Sequence, residues 1–199
     1  MKERGLVIII TGKAGAGKST LAEIFKGMGF EVVDVDHVAH EVLEEKKDDL
    51  VSIFGPVIVG KSGEVNREAL GRIVFRDKNQ LEVLERVVHP ILVEKLKDII
   101  NSRKGHIVLD VAIPHKLGLF PYADFSIVVE SSPEKIKERL QQKGWSTEKI
   151  ESVLKNQERE VLEGKYFILS NNGTFEELRE GLFKILKQEG IIYETGGSI

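Results

Sequence analysis

The 199-residue sequence has no cysteine, one tryptophan, two methionines and five prolines. Without cysteine there is no disulfide, thiolate metal ligand, iron-sulfur cluster or cysteine nucleophile, so the fold needs no oxidising compartment. An excess of charge is also missing: 29 Lys and Arg stand against 32 Asp and Glu, a formal net charge of −3. This excludes the broad basic field that draws proteins onto nucleic acid or anionic membranes, and neither partner is expected. A local anion site is still compatible with it. Long apolar runs are absent as well, since Leu6 to Ile10 and Ile127 to Val129 are far shorter than the roughly 20 residues that span a bilayer. No cleavage site of small residues follows the first strand-like run, and the expected location is the cytoplasm. The sequence gives no oligomeric state.

What is present is globular. A hydrophobic fraction of 41% with 31% charged residues suffices for a buried core. Leu6-Val7-Ile8-Ile9-Ile10 is a continuous β-branched run between glycine signals, as expected of a central strand buried on both faces of a parallel sheet. Similar runs at Glu31 to Asp34, His106 to Val111, Phe125 to Glu130 and Tyr166 to Leu169 alternate with helical patterns, which predicts an α/β fold with five parallel strands. Helix starts are signalled by Ser132-Pro133 and by the capping-box spacing of Thr174 and Glu177. The gap between the second and third strand is too long for one crossover helix, so a helical insertion is expected from about residue 36 to 103. A second, shorter excursion covers about 143–164.

Gly12-Lys13-Ala14-Gly15-Ala16-Gly17-Lys18-Ser19 satisfies G-x-x-x-x-G-K-[ST] directly after the first strand and before an amphipathic helix pattern. Backbone N–H groups from Gly12 to Thr20 are expected to turn around phosphate oxygens at the positive end of that helix. Lys18 would bridge the β- and γ-phosphates, and the Ser19 hydroxyl would ligate Mg²⁺. The motif implies a nucleoside triphosphate; it does not separate kinases, GTPases, ATPases and nucleotide sensors.

Asp34 and Asp36 stand at the carboxyl end of the second strand, where open α/β sheets place ligands, and strand alternation would point both the same way. A carboxylate there can accept the proton of an attacking hydroxyl, and it can equally cap a helix. Asp110 ends the third strand and is either a water-mediated Mg²⁺ ligand or a strand-end cap.

The phosphate loop, Asp34-Val35-Asp36, Gly63-Glu64-Val65-Asn66-Arg67, Leu84-Glu85-Arg86-Val87-Val88-His89-Pro90 and Asn171-Asn172-Gly173, in this order, resemble dephospho-CoA kinases across nearly the whole chain. The resemblance implies a three-layer P-loop core (1–35 and 104–199) with a small lid at about 143–164. It also implies a helical CoA-binding insertion at 36–103, and ATP and dephospho-CoA as substrates with Mg²⁺. Asp36 would be the base facing the ribose 3′-hydroxyl, with Asp34, Arg67 and His89 on the acceptor side. Arg139 would neutralise the transferring phosphoryl group, and Asn172 and Gly173 would meet the adenine edge. The local alternatives are a surface salt bridge for Arg67, a helix-end histidine before Pro90 for His89, an exposed helical arginine for Arg139 and a simple turn at 171–173. A nucleoside monophosphate or other small-molecule kinase, or a non-catalytic ATP sensor, would share the phosphate loop.

Overall fold

The computed structural model describes residues 5–156 and 161–191. In chain order the elements are β1 (Val7–Thr11), α1 (Lys18–Gly27), β2 (Glu31–Asp34), α2 (Val35–Glu45), α3 (Lys47–Phe54), α4 (Arg67–Val74) and α5 (Lys78–Ser102). They continue with β3 (Ile107–Asp110), β4 (Phe125–Glu130), α6 (Pro133–Gln142), α7 (Thr147–Asn156), β5 (Tyr166–Ser170) and α8 (Phe175–Gln188). Two compact units result, one built from the chain up to Val33 and from Lys104 onward, the other from Asp34–Arg103.

The first unit holds a five-stranded sheet in the order β2-β3-β1-β4-β5, with parallel ladders between β1 and β3, β1 and β4, and β4 and β5. The α/β class and the five strands are as the alternation of patterns predicts. β1 is the middle strand and all five of its residues are fully buried, the reason its run is uninterruptedly apolar up to Thr11. In register, Ile8 lies beside Val108 and Phe125, and Ile10 beside Ile127. These side chains form one face of the sheet against Leu21 and Phe25 of α1 and Leu178, Leu182 and Leu186 of α8. Each such side chain contributes about 1.5–3 kcal/mol when fully buried. Both signalled helix starts are realised. Ser132 caps α6 by accepting from the Lys135 N–H, and Thr174 and Glu177 exchange hydrogen bonds of 3.2 and 2.7 Å at the start of α8.

α7 folds back on α6 through Ile136, Leu140 and Ile150, with Trp145 against them. It is the described part of the segment expected to form a lid; residues 157–160 of that segment lie outside the described residues. No helix among the described residues is long and apolar enough to cross a membrane.

The second unit is helical. Leu50, Phe54, Ile58, Val65, Leu70 and Val74 form its small core, and a bridge between Val59 and Val65 closes the glycine-bounded turn at 60–63. His89-Pro90 stands neither at a helix end nor ahead of a helix but within the 25-residue α5, so the helix-end reading of His89 is corrected. Pro90 cannot donate to the Arg86 carbonyl, which ordinarily breaks a helix. α5 continues because Val88, Leu92, Leu96 and Ile100 place one buried side chain per turn on the same face beyond the proline.

Candidate functional site

The turn from β1 into α1 is shaped by what its glycines lack. Gly17 caps α1 at φ 111°, and a Cβ there would sit 1.9 Å from Asn171 Nδ2; one on Gly12 would sit 2.4 Å from the Val129 carbonyl oxygen. Neither position admits a side chain, so the chain can wrap closely enough for its N–H groups to converge. Lys18 Nζ reaches back across the loop and donates to the Gly12 carbonyl at 2.7 Å. Lys13, Ser19 and Thr20 are exposed, whereas Ala16 is buried.

A network behind the loop holds this shape. Arg139 donates through Nη1 to the carbonyls of Ala16 (3.1 Å) and Gly15 (3.4 Å) and to Ser131 Oγ (2.8 Å), and through Nη2 to the Asn171 carbonyl (2.7 Å). Asn171, itself buried, donates from Nδ2 to the same Ala16 carbonyl at 2.8 Å, while its own N–H is held by Glu130. In a trans peptide the C=O and the following N–H point in opposite directions. Pinning the Ala16 carbonyl outward therefore turns the Gly17 N–H inward.

Arg139 stands behind the phosphate loop, its guanidinium donating to three backbone carbonyls and a serine. A helical arginine six residues beyond Pro133 carries no local sign of this, because the carbonyls it meets come from residues 15, 16 and 171. Ser131 was not singled out in the sequence for the same reason, and Asn171 only as part of the 171–173 turn; the only local cue is a polar residue placed directly after a strand.

Asn172 is occupied too, accepting from the Ser132 N–H at 2.7 Å and donating to Ser170 Oγ at 3.1 Å. Its side chain ties β5 to the start of α6. The Gly173 position is crowded by Glu177 of the capping box, where a Cβ would lie 1.8 Å from Oε2.

One prediction follows from the network. Asn171→Ala removes a buried donor from an already polar cluster, a change worth about 1–3 kcal/mol, and should lower Tm by several degrees. It should also raise KM for the nucleotide more than KM for the acceptor. Thermal unfolding and steady-state kinetics on the same preparation check both.

Asp110 ends β3 in register with Ile10, immediately before the loop, and Ser19 lies in the first turn of α1. A hydroxyl and a carboxylate are the hard oxygen donors that Mg²⁺ takes. Among the described residues no group of three or more His, Cys, Asp or Glu could hold a metal. This donor set fits an ion carried largely by nucleotide phosphates and water.

In the second unit the two aspartates part company. Asp34 is the N-cap of α2, accepting from the His37 N–H at 3.1 Å, and Asp36 lies in the first helical turn, exposed. Strand alternation therefore does not govern the pair: the cap formed by Asp34 ends the strand before Asp36 is reached.

Beyond this turn, α2 and the start of α4 border a groove of about 780 Å³ whose walls include His37, His40, Glu41, Glu44, Val65 and Arg67. Asn66 caps α4 by accepting from the Ala69 N–H, which sets Arg67 at the first helical position. Arg67 Nη1 lies 2.8 Å from both ring nitrogens of His40, so its partner is an imidazole rather than the acid of a surface salt bridge. Burial and, next, the Arg67 charge hold the His40 pKa below its ordinary value, outweighing Asp36 and Asp34. His89 is partly buried in the middle of α5 and does not line this groove.

Residues 6–177 match the family model described as dephospho-CoA kinase. The dephospho-CoA kinase of Borreliella burgdorferi is 32% identical over 204 aligned positions, covering 96% of this chain and 97% of the relative. That of Geobacillus kaustophilus is 30% identical, covering 92% and 96%. Among solved structures, a Thermus thermophilus protein superposes with a TM-score of 0.80 at 28% identity, over 94% of this chain and 98% of the other. Campylobacter jejuni dephospho-CoA kinase shares the fold at a TM-score of 0.65 and 23% identity, over 94% and 98%.

Proposed function

The chain belongs to the dephospho-CoA kinase family of ATP-dependent transferases, and from that premise we propose how its residues divide the work on ATP and the 3′-hydroxyl of dephospho-CoA. The observation that carries the division is the placement of Asp36 in the exposed first turn of α2, with Arg67, at the start of α4, bordering the groove that α2 lines. A nucleotide sensor has no need of either.

The phosphate loop cradles the triphosphate, and Lys18 exchanges its Gly12 carbonyl partner for the β- and γ-phosphate oxygens. Ser19 and, through water, Asp110 would hold Mg²⁺, which would supply neutralisation of the charge on the nucleotide phosphates. The 3′-oxygen of the acceptor attacks the γ-phosphorus in line, the bond from that phosphorus to the β–γ bridging oxygen breaks, and ADP leaves. Asp36 accepts the proton of the attacking hydroxyl. Arg67 takes the anionic part of the acceptor as a fork of donors. The helical unit of residues 36–103 is the acceptor-binding insertion, and the segment of about 143–164 acts as a lid that keeps water from an activated γ-phosphate.

The test is ADP release by the purified protein with ATP and Mg²⁺, comparing dephospho-CoA, AMP, other nucleoside monophosphates and no acceptor. Dephospho-CoA alone should stimulate release, with CoA formed in equal amount. Stimulation by AMP instead would assign a nucleoside monophosphate kinase. ATP binding without acceptor-dependent turnover would assign a sensor.

A further inference from the structure

We propose that His40 is a positioning residue for the acceptor: its imidazole holds the Arg67 guanidinium where the 5′-pyrophosphate of dephospho-CoA binds, one helical turn from Asp36. This inference rests on the assignment of Asp36 and Arg67 given above.

The first observation is geometric. Arg67 Nη1 is equidistant, at 2.8 Å, from Nδ1 and Nε2 of His40. In the neutral imidazole one of these nitrogens carries the lone pair that accepts from Nη1. That contact engages one end of the guanidinium and leaves Nη2 and Nε as the fork that bidentate phosphate binding uses.

The second observation is the register of α2. Asp36 and His40 are four residues apart, on the same side of one helix and separated by about 5.4 Å along its axis. A ribose presents its 3′-hydroxyl and its 5′-phosphate across a comparable span. A base and, one turn along the same rigid helix, the histidine that holds the phosphate anchor thus measure out the sugar that lies between the reacting hydroxyl and the pyrophosphate.

The third is the charge of the surroundings. Glu41, Glu44, Glu64 and Glu68 line the same groove, and Arg67 is its only Lys or Arg side chain. Left to itself, a long exposed arginine would turn to one of these carboxylates. A neutral imidazole beside it offers an acceptor without neutralising its charge. Burial and the Arg67 charge both favour that neutral form. The pyrophosphate is the anionic group of dephospho-CoA, so an arginine kept away from the glutamates is the element that can capture it.

The test compares the wild-type protein with His40→Ala, His40→Gln, Arg67→Ala and the His40→Ala/Arg67→Ala double variant, using dephospho-CoA as the acceptor. His40→Ala should raise KM for dephospho-CoA about tenfold, the loss of one charge-assisted contact, with the change falling in KM rather than kcat and KM for ATP unaltered. His40→Gln, whose side-chain carbonyl can still accept from Arg67, should recover most of the loss. The double variant should be no worse than Arg67→Ala alone, because His40 acts through Arg67. Unchanged KM in both His40 variants, or additive losses in the double variant, would each overturn the inference. A wild-type protein without dephospho-CoA-dependent turnover would instead overturn the functional reading beneath it. Equilibrium binding of dephospho-CoA to each variant gives the same comparison if turnover is too slow to measure.

Discussion

Replacing Asp36 by Asn should lower kcat for phosphorylation of dephospho-CoA by about 10²–10⁴-fold, the range that a positioned general base contributes, while KM and Kd for ATP remain near wild type. The substitution keeps shape and hydrogen-bonding capacity but removes the proton acceptor. Asp36 is exposed in the first turn of α2, so the fold should lose little beyond a favourable charge near the helix N-terminus, worth about 0.3–1 kcal/mol. Thermal unfolding of the variant separates that loss from the kinetic one. Asp34 supplies the control. Its carboxylate accepts from the His37 N–H, and Asn caps helices about as well as Asp, so Asp34→Asn should retain most activity. A kcat within threefold of wild type in Asp36→Asn, or a larger loss in Asp34→Asn, would remove Asp36 as the base.

The pair also shows how far local pattern reaches. β1, the loop and α1 were legible together because each supports the others: a strand buried on both faces must be continuously apolar, and glycine spacing encodes where the backbone turns. Two aspartates two residues apart on a strand-like run carry two readings, and the cap won because it satisfies an N–H that the strand cannot. The misreading of His89-Pro90 has a similar cause. Proline argues for a boundary on local grounds, and only the stripe of Val88, Leu92, Leu96 and Ile100 overrides it.

What could not be read was set by distance along the chain. The Ala16 carbonyl is bonded by residues 139 and 171, and Ser131 donates to it as well. Arg67 meets His40 across 27 positions. Periodicity and spacing describe an element; they do not say which side chain of a remote element arrives behind it. Family resemblance located Arg139 and Arg67 near the site, and only geometry assigned the first to the loop's support and gave the second its histidine.

Lys18→Ala should abolish turnover, with kcat reduced by about 10³-fold or more, because the loop would then lose its one charge aimed at the oxygens on which negative charge builds. The hydrogen bond to the Gly12 carbonyl makes this more than a local deletion. Lys18 fastens the end of the loop to its beginning, so the variant should also bind ATP less tightly, unlike Asp36→Asn. Lys18→Arg should not rescue it: a planar fork cannot place a point charge between two phosphates inside a loop whose glycines leave no room at positions 12 and 17. The two variants are told apart by ATP hydrolysis measured without acceptor. That background rate needs the phosphate loop but not the base, so Lys18→Ala should eliminate it and Asp36→Asn should leave it intact. Loss of the background rate in both would mean that Asp36 supports nucleotide binding, and survival of acceptor-dependent turnover within tenfold in Lys18→Ala would mean that the triphosphate is held elsewhere.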